Sequence, residues 1–228
     1  LIFRSKNIAA HLMELPVDKV NFEHGFFVGK SKKRLSIADI TETWYLKPQL
    51  LPKDVDTGGL EVTVGYKPKV DSGTFSYATH AAVVNVDTEL GQVKILDYVI
   101  VEDGGVLINP MVVNGQVFGG AGQGVGTALY EEMSFDTAGQ PSASTFADYL
   151  LPGPTEIPRF KIIHMETKSP NTEFGVKGIG ESGAIGPPAA IGNAINDALA
   201  PLNAEVRETP ITPRRVLAAI AIAEKLTS

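Results

Sequence analysis

Lys177-Gly-Ile-Gly-Glu-Ser-Gly183, continuing into Ala184-Ile-Gly-Pro-Pro-Ala-Ala-Ile-Gly-Asn-Ala-Ile-Asn-Asp-Ala198, is the stretch on which the reading of this chain turns. It sets one carboxylate, Glu181, in a glycine-dense loop ahead of a segment with the apolar spacing of a buried helix. Glycines let a backbone turn tightly and come close to a ligand. A lone acid there, with apolar sequence behind it, is poised for desolvation, which strengthens a carboxylate as a base. The helix is expected from Pro188 to Leu199, burying Ala189, Ile191, Ala194, Ile195 and Ala198, with Pro187 and Pro188 postponing it past the glycines.

Two other readings of the loop are weaker. Gly178-Ile-Gly-Glu-Ser-Gly183 matches G-x-G-x-x-G, but a dinucleotide fingerprint needs a strand directly before it and a helix opening within it. Pro170 and Gly175 break any strand upstream, and the prolines delay the helix. Ser182 nearly occupies a nucleophile elbow, yet that motif needs glycine where Ala184 stands.

Upstream lies Asn114-Gly-Gln-Val-Phe-Gly-Gly-Ala-Gly-Gln-Gly-Val-Gly-Thr-Ala-Leu-Tyr-Glu-Glu132, helical in spacing at its far end yet with six glycines between 115 and 126. Each interior glycine costs a helix about 0.5–1 kcal/mol relative to alanine. Such a segment persists where another helix or a ligand lies close against its backbone. Gln116 and Gln123, seven apart, fall on one helical face.

The remaining chain reads as alternating short elements. Residues 2–15 resemble the tail of a helix with Ile8, Leu12 and Leu15 on one face. Asn21–Val28 and Arg34–Ile37 suit a hairpin around Gly25 with a basic Lys30–Arg34 loop, and Ile37–Trp44 a short helix. Pro48, Pro52 and Gly58-Gly59 mark a long loop, and Glu61–Tyr66 a strand. Phe75–Val86 and Val93–Val101, rich in Val, Ile and Tyr, form a hairpin through Asp87–Gly91. Asp103–Pro110 is a loop, Asp148–Pro158 a proline-stiffened crossing and Arg159–Thr167 a strand. Thr212 and Pro213 open a last helix; Arg214 and Arg215 near its start oppose the helix dipole and imply some other contact.

Bulk properties exclude several classes. The 228 residues suffice for one large domain or two small ones, and 43% apolar with 20% charged residues is ordinary globular composition. A net charge of −6 without a basic block argues against nucleic acid. No apolar run approaches about eighteen residues and no signal peptide opens the chain, so no membrane segment is expected. There is no cysteine, which removes disulfides, thiolate zinc sites and cysteine-bound iron–sulfur clusters, and fits a cytoplasmic setting. His11, His24, His80 and His164 are scattered without ligand spacing, so no metal ligand is assigned. Because Leu1 stands where a methionine would, the chain is expected to start in mid-structure: an engineered piece, a processed product or one part of a divided subunit.

Four motifs in order carry a resemblance: Phe75–Val101 with Gly91 at its turn; Ile108-Asn-Pro110 followed by Gly115-Gln-Val-Phe-Gly-Gly120 and Gln123-Gly124; Asp148-Tyr149 with Pro152; and Lys177–Glu181 followed by Asn193–Leu199. The chain resembles the C-terminal part of the molybdenum-cofactor-binding large subunit of the molybdenum hydroxylases, the family of xanthine dehydrogenase, aldehyde oxidase and aerobic carbon monoxide dehydrogenase. The likeness covers about 74–200 through these motifs, with 1–70 as a more loosely matched leading segment of one 1–228 region. It implies an α+β fold, mixed sheets with packed helices, forming the second molybdenum-cofactor-binding domain. It further implies hydroxylation of an aldehyde or N-heterocycle carbon with oxygen from water, Glu181 as general base, Gln116 against the pterin, and Lys177, Ile179 and Gly180 as loop contacts to the cofactor. The implied cofactor is molybdenum–molybdopterin, its cytosine dinucleotide form left open. [2Fe–2S] centres and FAD would lie on partner chains or domains: an N-terminal portion of the large subunit, an iron–sulfur subunit and an FAD subunit. Asn171–Phe174 departs from the family, where a proline-containing segment is common. The competing classes are a non-catalytic interaction module of the same fold and a nucleotide-binding oxidoreductase holding NAD at Gly178–Gly183.

Overall fold

The computed structural model describes residues 1–30, 33–56, 58–67, 70 and 73–227. The chain divides into two compact units, Leu1–Lys67 and Pro68–Ser228.

In the first unit, helix α1 (Ile2–Met13) buries Ile8, Ala9, Ala10 and Met13. It ends at Glu14, whose left-handed backbone lets the Leu15 N–H return to the Ala10 carbonyl. Strands β1 (Val20–Glu23), β2 (Phe26–Gly29) and β3 (Arg34–Ser36) form an antiparallel sheet in that order. The tight β1–β2 turn places His24 and Gly25 at φ of 49° and 83°, a two-residue connection that glycine accepts without strain. Within the expected basic loop, Ser31 and Lys32 lie outside the described residues. Helix α2 (Ile37–Leu46) opens on a capping box: the Ser36 hydroxyl accepts from the Asp39 N–H at 3.1 Å, and Asp39 Oδ2 accepts from the Ser36 N–H at 2.7 Å.

The expected strand at Glu61–Tyr66 is not formed; the segment is irregular and exposed. Its β-forming residues have no ladder partner among the described residues, and a strand exists through its partner's hydrogen bonds.

The second unit is built on strands β4 (Tyr77–Val86), β5 (Val93–Asp103) and β6 (Phe160–Met165). β5 is central, antiparallel to β4 and parallel to β6. A parallel pair requires a crossover, and helix α3 (Pro110–Leu129) supplies it. The Ile108-Asn-Pro sequence explains its start: Asn109 Oδ1 accepts from the Met111 and Val112 N–H groups, and Pro110 occupies the first turn. Helices α4 (Ser182–Leu199) and α5 (Pro213–Thr227) complete the unit. One core joins Tyr98, Ile100 and Phe160 of the sheet to Val117, Val125, Ile191, Ile195, Leu199 and Val216 of the helices. The α+β class with mixed strand pairing and packed helices is borne out.

Helix α4 begins six residues earlier than the prolines implied. Its buried positions are Gly183, Pro187, Ile191, Ile195 and Leu199, one every fourth residue, while Ala189 and Ala198 are exposed. Packing on α3 overrides the proline penalty. A Cβ on Gly124 would meet Pro187 Cγ at 2.6 Å, and one on Gly183 would meet the Val117 carbonyl oxygen at 2.6 Å. The proline ring therefore fills a notch that glycine leaves open, and the two backbones approach within van der Waals contact.

At the far end of the unit, the expected extra contact of the α5 arginines is found for Arg215. Its guanidinium donates to the Pro210 carbonyl at 2.7 Å and to Glu132 at 2.8 Å. Arg214 is exposed.

Candidate active site

Strand β5 ends in two buried acids, Glu102 and Asp103, each 1% exposed. They organise the Lys177–Gly183 loop. Asp103 accepts from the Lys177 ammonium at 3.0 Å, the Gly105 N–H at 2.9 Å, the Thr167 N–H at 2.9 Å and the Tyr77 hydroxyl at 3.0 Å. Burial alone would push Asp103 up; the bonds from Thr167, Gly105 and Lys177 outweigh it and hold the carboxyl well below the usual carboxylate range. The Lys177 ammonium also lies 4.9 Å from the Tyr77 ring centroid.

Glu102 faces the other way, toward the core with Tyr98 and Ile100, as strand alternation requires. It accepts from the Ser182 hydroxyl at 2.7 Å and lies 2.9 Å from His164 Nδ1. His164 Nε2 in turn meets Asn114 Oδ1 at 2.7 Å.

His80 of β4 completes the frame. Its Nε2 lies 3.2 Å from the Ser182 carbonyl, which only accepts, so Nε2 carries the proton. Nδ1 then accepts from the Tyr98 hydroxyl at 3.0 Å. Burial pulls the His80 imidazole below its usual value, against opposing pulls from the Ser182 carbonyl and Glu102, and burial pushes the Tyr98 phenol up. Both are neutral near pH 7. The unfolded imidazole takes its proton near about pH 6.5, the folded one only at lower pH. The stability His80 contributes is thus whole above about pH 6.5 and drains away on acidification. Thermal melts between about pH 7 and pH 5 are expected to show the wild type losing more stability than His80→Gln; parallel curves would remove His80 from this role.

Within this frame Glu181 is the N-cap residue of α4, yet its side chain makes no capping bond. It is exposed, so the described residues do not provide the desolvation expected of it. It borders a cavity of about 560 Å³ together with Gly115, Gln116, Gly119, Gln123, Thr127 and Gly180. A second cavity of about 570 Å³ reaches it from the His80 side.

The glycines of α3 differ in what a side chain there would meet. Gly120 and Gly124 meet α4 while also lining the cavity, and Gly126 meets Glu131, whose carboxylate also accepts from the Tyr149 hydroxyl at 2.7 Å. Around Gly115 and Gly119 a Cβ would meet nothing within 4 Å, because these face the cavity. Helix packing and ligand room are thus both served: Gly120 and Gly124 meet α4 at the edge of the cavity, and Gly115 and Gly119 leave space within it.

Of the expected site residues, the structure brings together Gln116, Gly180 and Glu181. The Gln116 amide donates to the Gly180 carbonyl at 2.8 Å, tying α3 to the loop. Lys177 and Ile179 do not line this cavity. The Lys177 side chain is 7% exposed and committed to Asp103, while Ile179 packs into the core against Gly104. No strand precedes the loop, only an isolated bridge between Gly105 and Val176, so the dinucleotide reading fails on that ground, although the helix does open before the last glycine. Among the described residues no group of three or more His, Asp or Glu is arranged for a metal ion, and no helix is long and apolar enough to cross a membrane.

A family model, the molybdopterin cofactor-binding domain, matches residues 1–158. The chain belongs to this family. It is 40% identical over 214 residues to the nicotine 6-hydroxylase large subunit of Paenarthrobacter nicotinovorans, covering 93% of this chain and 26% of that one. It is 31% identical over 215 residues to the carbon monoxide dehydrogenase large chain of Hydrogenophaga pseudoflava, again 93% of this chain and 26% of the relative. In structure it is similar to quinoline 2-oxidoreductase from Pseudomonas putida 86, with a TM-score of 0.78 and 36% identity over 96% of this chain and 28% of that one. The molybdopterin-binding large-subunit family recognised from the four motifs is therefore borne out. The chain spans about a quarter of the length of the curated relatives it matches.

Proposed function

We propose that this chain forms part of the active site of a molybdenum hydroxylase, with Glu181 as general base. The observation that carries this is the placement of Glu181. Its carboxylate is unspent on the helix cap and stands at the edge of the cavity that Gln116, Gln123 and the open glycine face of α3 line.

The residues present fit a flat polar cofactor. Gly115 and Gly119 leave a cradle that side chains would fill, and the two glutamine amides offer donors and acceptors beside it. Gln116 and Gly180 would hold the molybdenum–molybdopterin, in its cytosine dinucleotide or another form, while Lys177 and Ile179 would act by anchoring the loop. When bound, the group supplies two-electron redox chemistry and oxygen drawn from water for the substrate carbon. Glu181 takes up the released proton at a carboxylate oxygen. Its reach of about 3 Å and its basicity then depend on water being displaced by whatever fills the cavity.

The substrate is an aldehyde or N-heterocycle carbon; relatives named for nicotine and quinoline favour the heterocycle. Electrons would leave through [2Fe–2S] centres and FAD on an iron–sulfur subunit and an FAD subunit, with an N-terminal portion of the large subunit closing the site.

Metal and pterin analysis of the purified intact protein tests this. Molybdenum and pterin are expected in equal amounts, about one of each per chain. Their absence after growth with molybdate would leave a non-catalytic module of the same fold.

A further inference from the structure

We propose that Glu102 is a positioning residue for Glu181, acting through Ser182, with His164 and Asn114 as its support. The inference rests on Glu181 being the base argued above.

Both chain neighbours of Glu181 are held from elsewhere in the fold. On one side the Gly180 carbonyl takes the Gln116 amide of α3 at 2.8 Å. On the other, Ser182 is gripped twice: its carbonyl meets His80 Nε2 of β4 at 3.2 Å, and its hydroxyl donates to Glu102 of β5 at 2.7 Å. The Glu181 side chain itself makes no hydrogen bond among the described residues. Its location is thus set through the backbone by its neighbours, leaving both carboxylate oxygens available.

Glu102 is an unusual residue to spend on this. It lies on the apolar face of β5 beside Tyr98 and Ile100, is 1% exposed, and a carboxylate taken out of water is costly unless donors surround it. A leucine would serve packing there. What the carboxylate adds is direction. It receives the Ser182 hydroxyl on one oxygen and faces His164 on the other, and His164 reaches Asn114, two residues from Gln116 on α3. The strand end, the first residue of α4 and the helix bearing Gln116 are joined in one chain of contacts. Sliding α4 along its axis would break it. Ser182 has only a weaker fallback, the Ile179 carbonyl at 3.3 Å.

The test compares Ser182→Ala, Glu102→Leu and Glu102→Gln in the intact protein, with Glu181→Gln alongside. Two quantities are read: hydrogen exchange of amides in the 180–185 segment, and turnover per bound molybdenum with quinoline and nicotine and a dye acceptor. Ser182→Ala and Glu102→Leu are expected to speed exchange by about tenfold or more. They should lower kcat per molybdenum by about ten- to hundredfold while KM stays within about threefold. Glu102→Gln can accept from Ser182 and donate to a neutral imidazole, so it is expected to stay close to wild type in both. Unchanged exchange in Ser182→Ala and Glu102→Leu overturns the proposal, as does turnover that falls only in proportion to lost molybdenum, which marks a purely structural role. Wild-type turnover in Glu181→Gln is a different failure: it removes the base and leaves the exchange result standing on its own.

Discussion

Replacing Glu181 by glutamine is expected to lower turnover by about 10²–10⁴-fold, the usual worth of general-base help, while molybdenum and pterin content stay at wild-type levels. The substitution keeps the size of the side chain, removes its charge and its ability to take a proton, and replaces one acceptor oxygen by a donor. Retention of the cofactor follows from the geometry. The loop is held by Gly180, Ser182, Lys177 and Ile179 through contacts that do not involve the Glu181 side chain. The fold is accordingly expected to tolerate the change, and on the proposed function the chemistry is not. Metal content and steady-state kinetics on the same preparation decide the matter, and turnover near wild type would take the role away from Glu181.

The second large effect concerns folding. Asp103→Ala strands the Lys177 ammonium, whose side chain is 7% exposed, and orphans the Gly105 and Thr167 N–H groups. Breaking one side of a buried ion pair costs about 3–5 kcal/mol. Native-state hydrogen exchange should show this as more than about a hundredfold loss of protection in β5 and β6. Lys177→Met is expected to do less harm, since Asp103 keeps its donors from Gly105, Thr167 and Tyr77. Equal losses from the two variants would show that the pair, not the acid's wider set of donors, holds the loop.

Much of this was legible beforehand for identifiable reasons. The β4–β5 hairpin announces itself through Val, Ile and Tyr alternation and a turn where Gly91 takes φ of 71°. The seven-residue spacing of Gln116 and Gln123 put both on one helical face, and both line the cavity. Two features were hidden. The start of α4 depends on a neighbour, because only the notch at Gly124 makes room for Pro187 inside a helix. Glu61–Tyr66 failed for the opposite reason: its residues favour a strand, but nothing among the described residues pairs with it.

Glu102 and Asp103, which frame the loop, were not singled out: the expected strand stopped at Val101 and the expected loop began at Asp103. A signal did exist. Continuing the period of two from Tyr98 and Ile100 lands Glu102 on the buried face, and a buried acid asks for partners. What no local pattern could reveal was their identity, since Ser182 is eighty positions away and His164 sixty-two.

The division of α3 into a seam and an open flank separates two kinds of selection. Changes at Gly120 or Gly124 are answered by the neighbouring helix and so by folding. A side chain added at Gly115 or Gly119 meets nothing within 4 Å among the described residues, and each would even favour the helix by about 0.5–1 kcal/mol as alanine. On the proposed function, this open flank is where a substitution would alter which ligands the chamber admits.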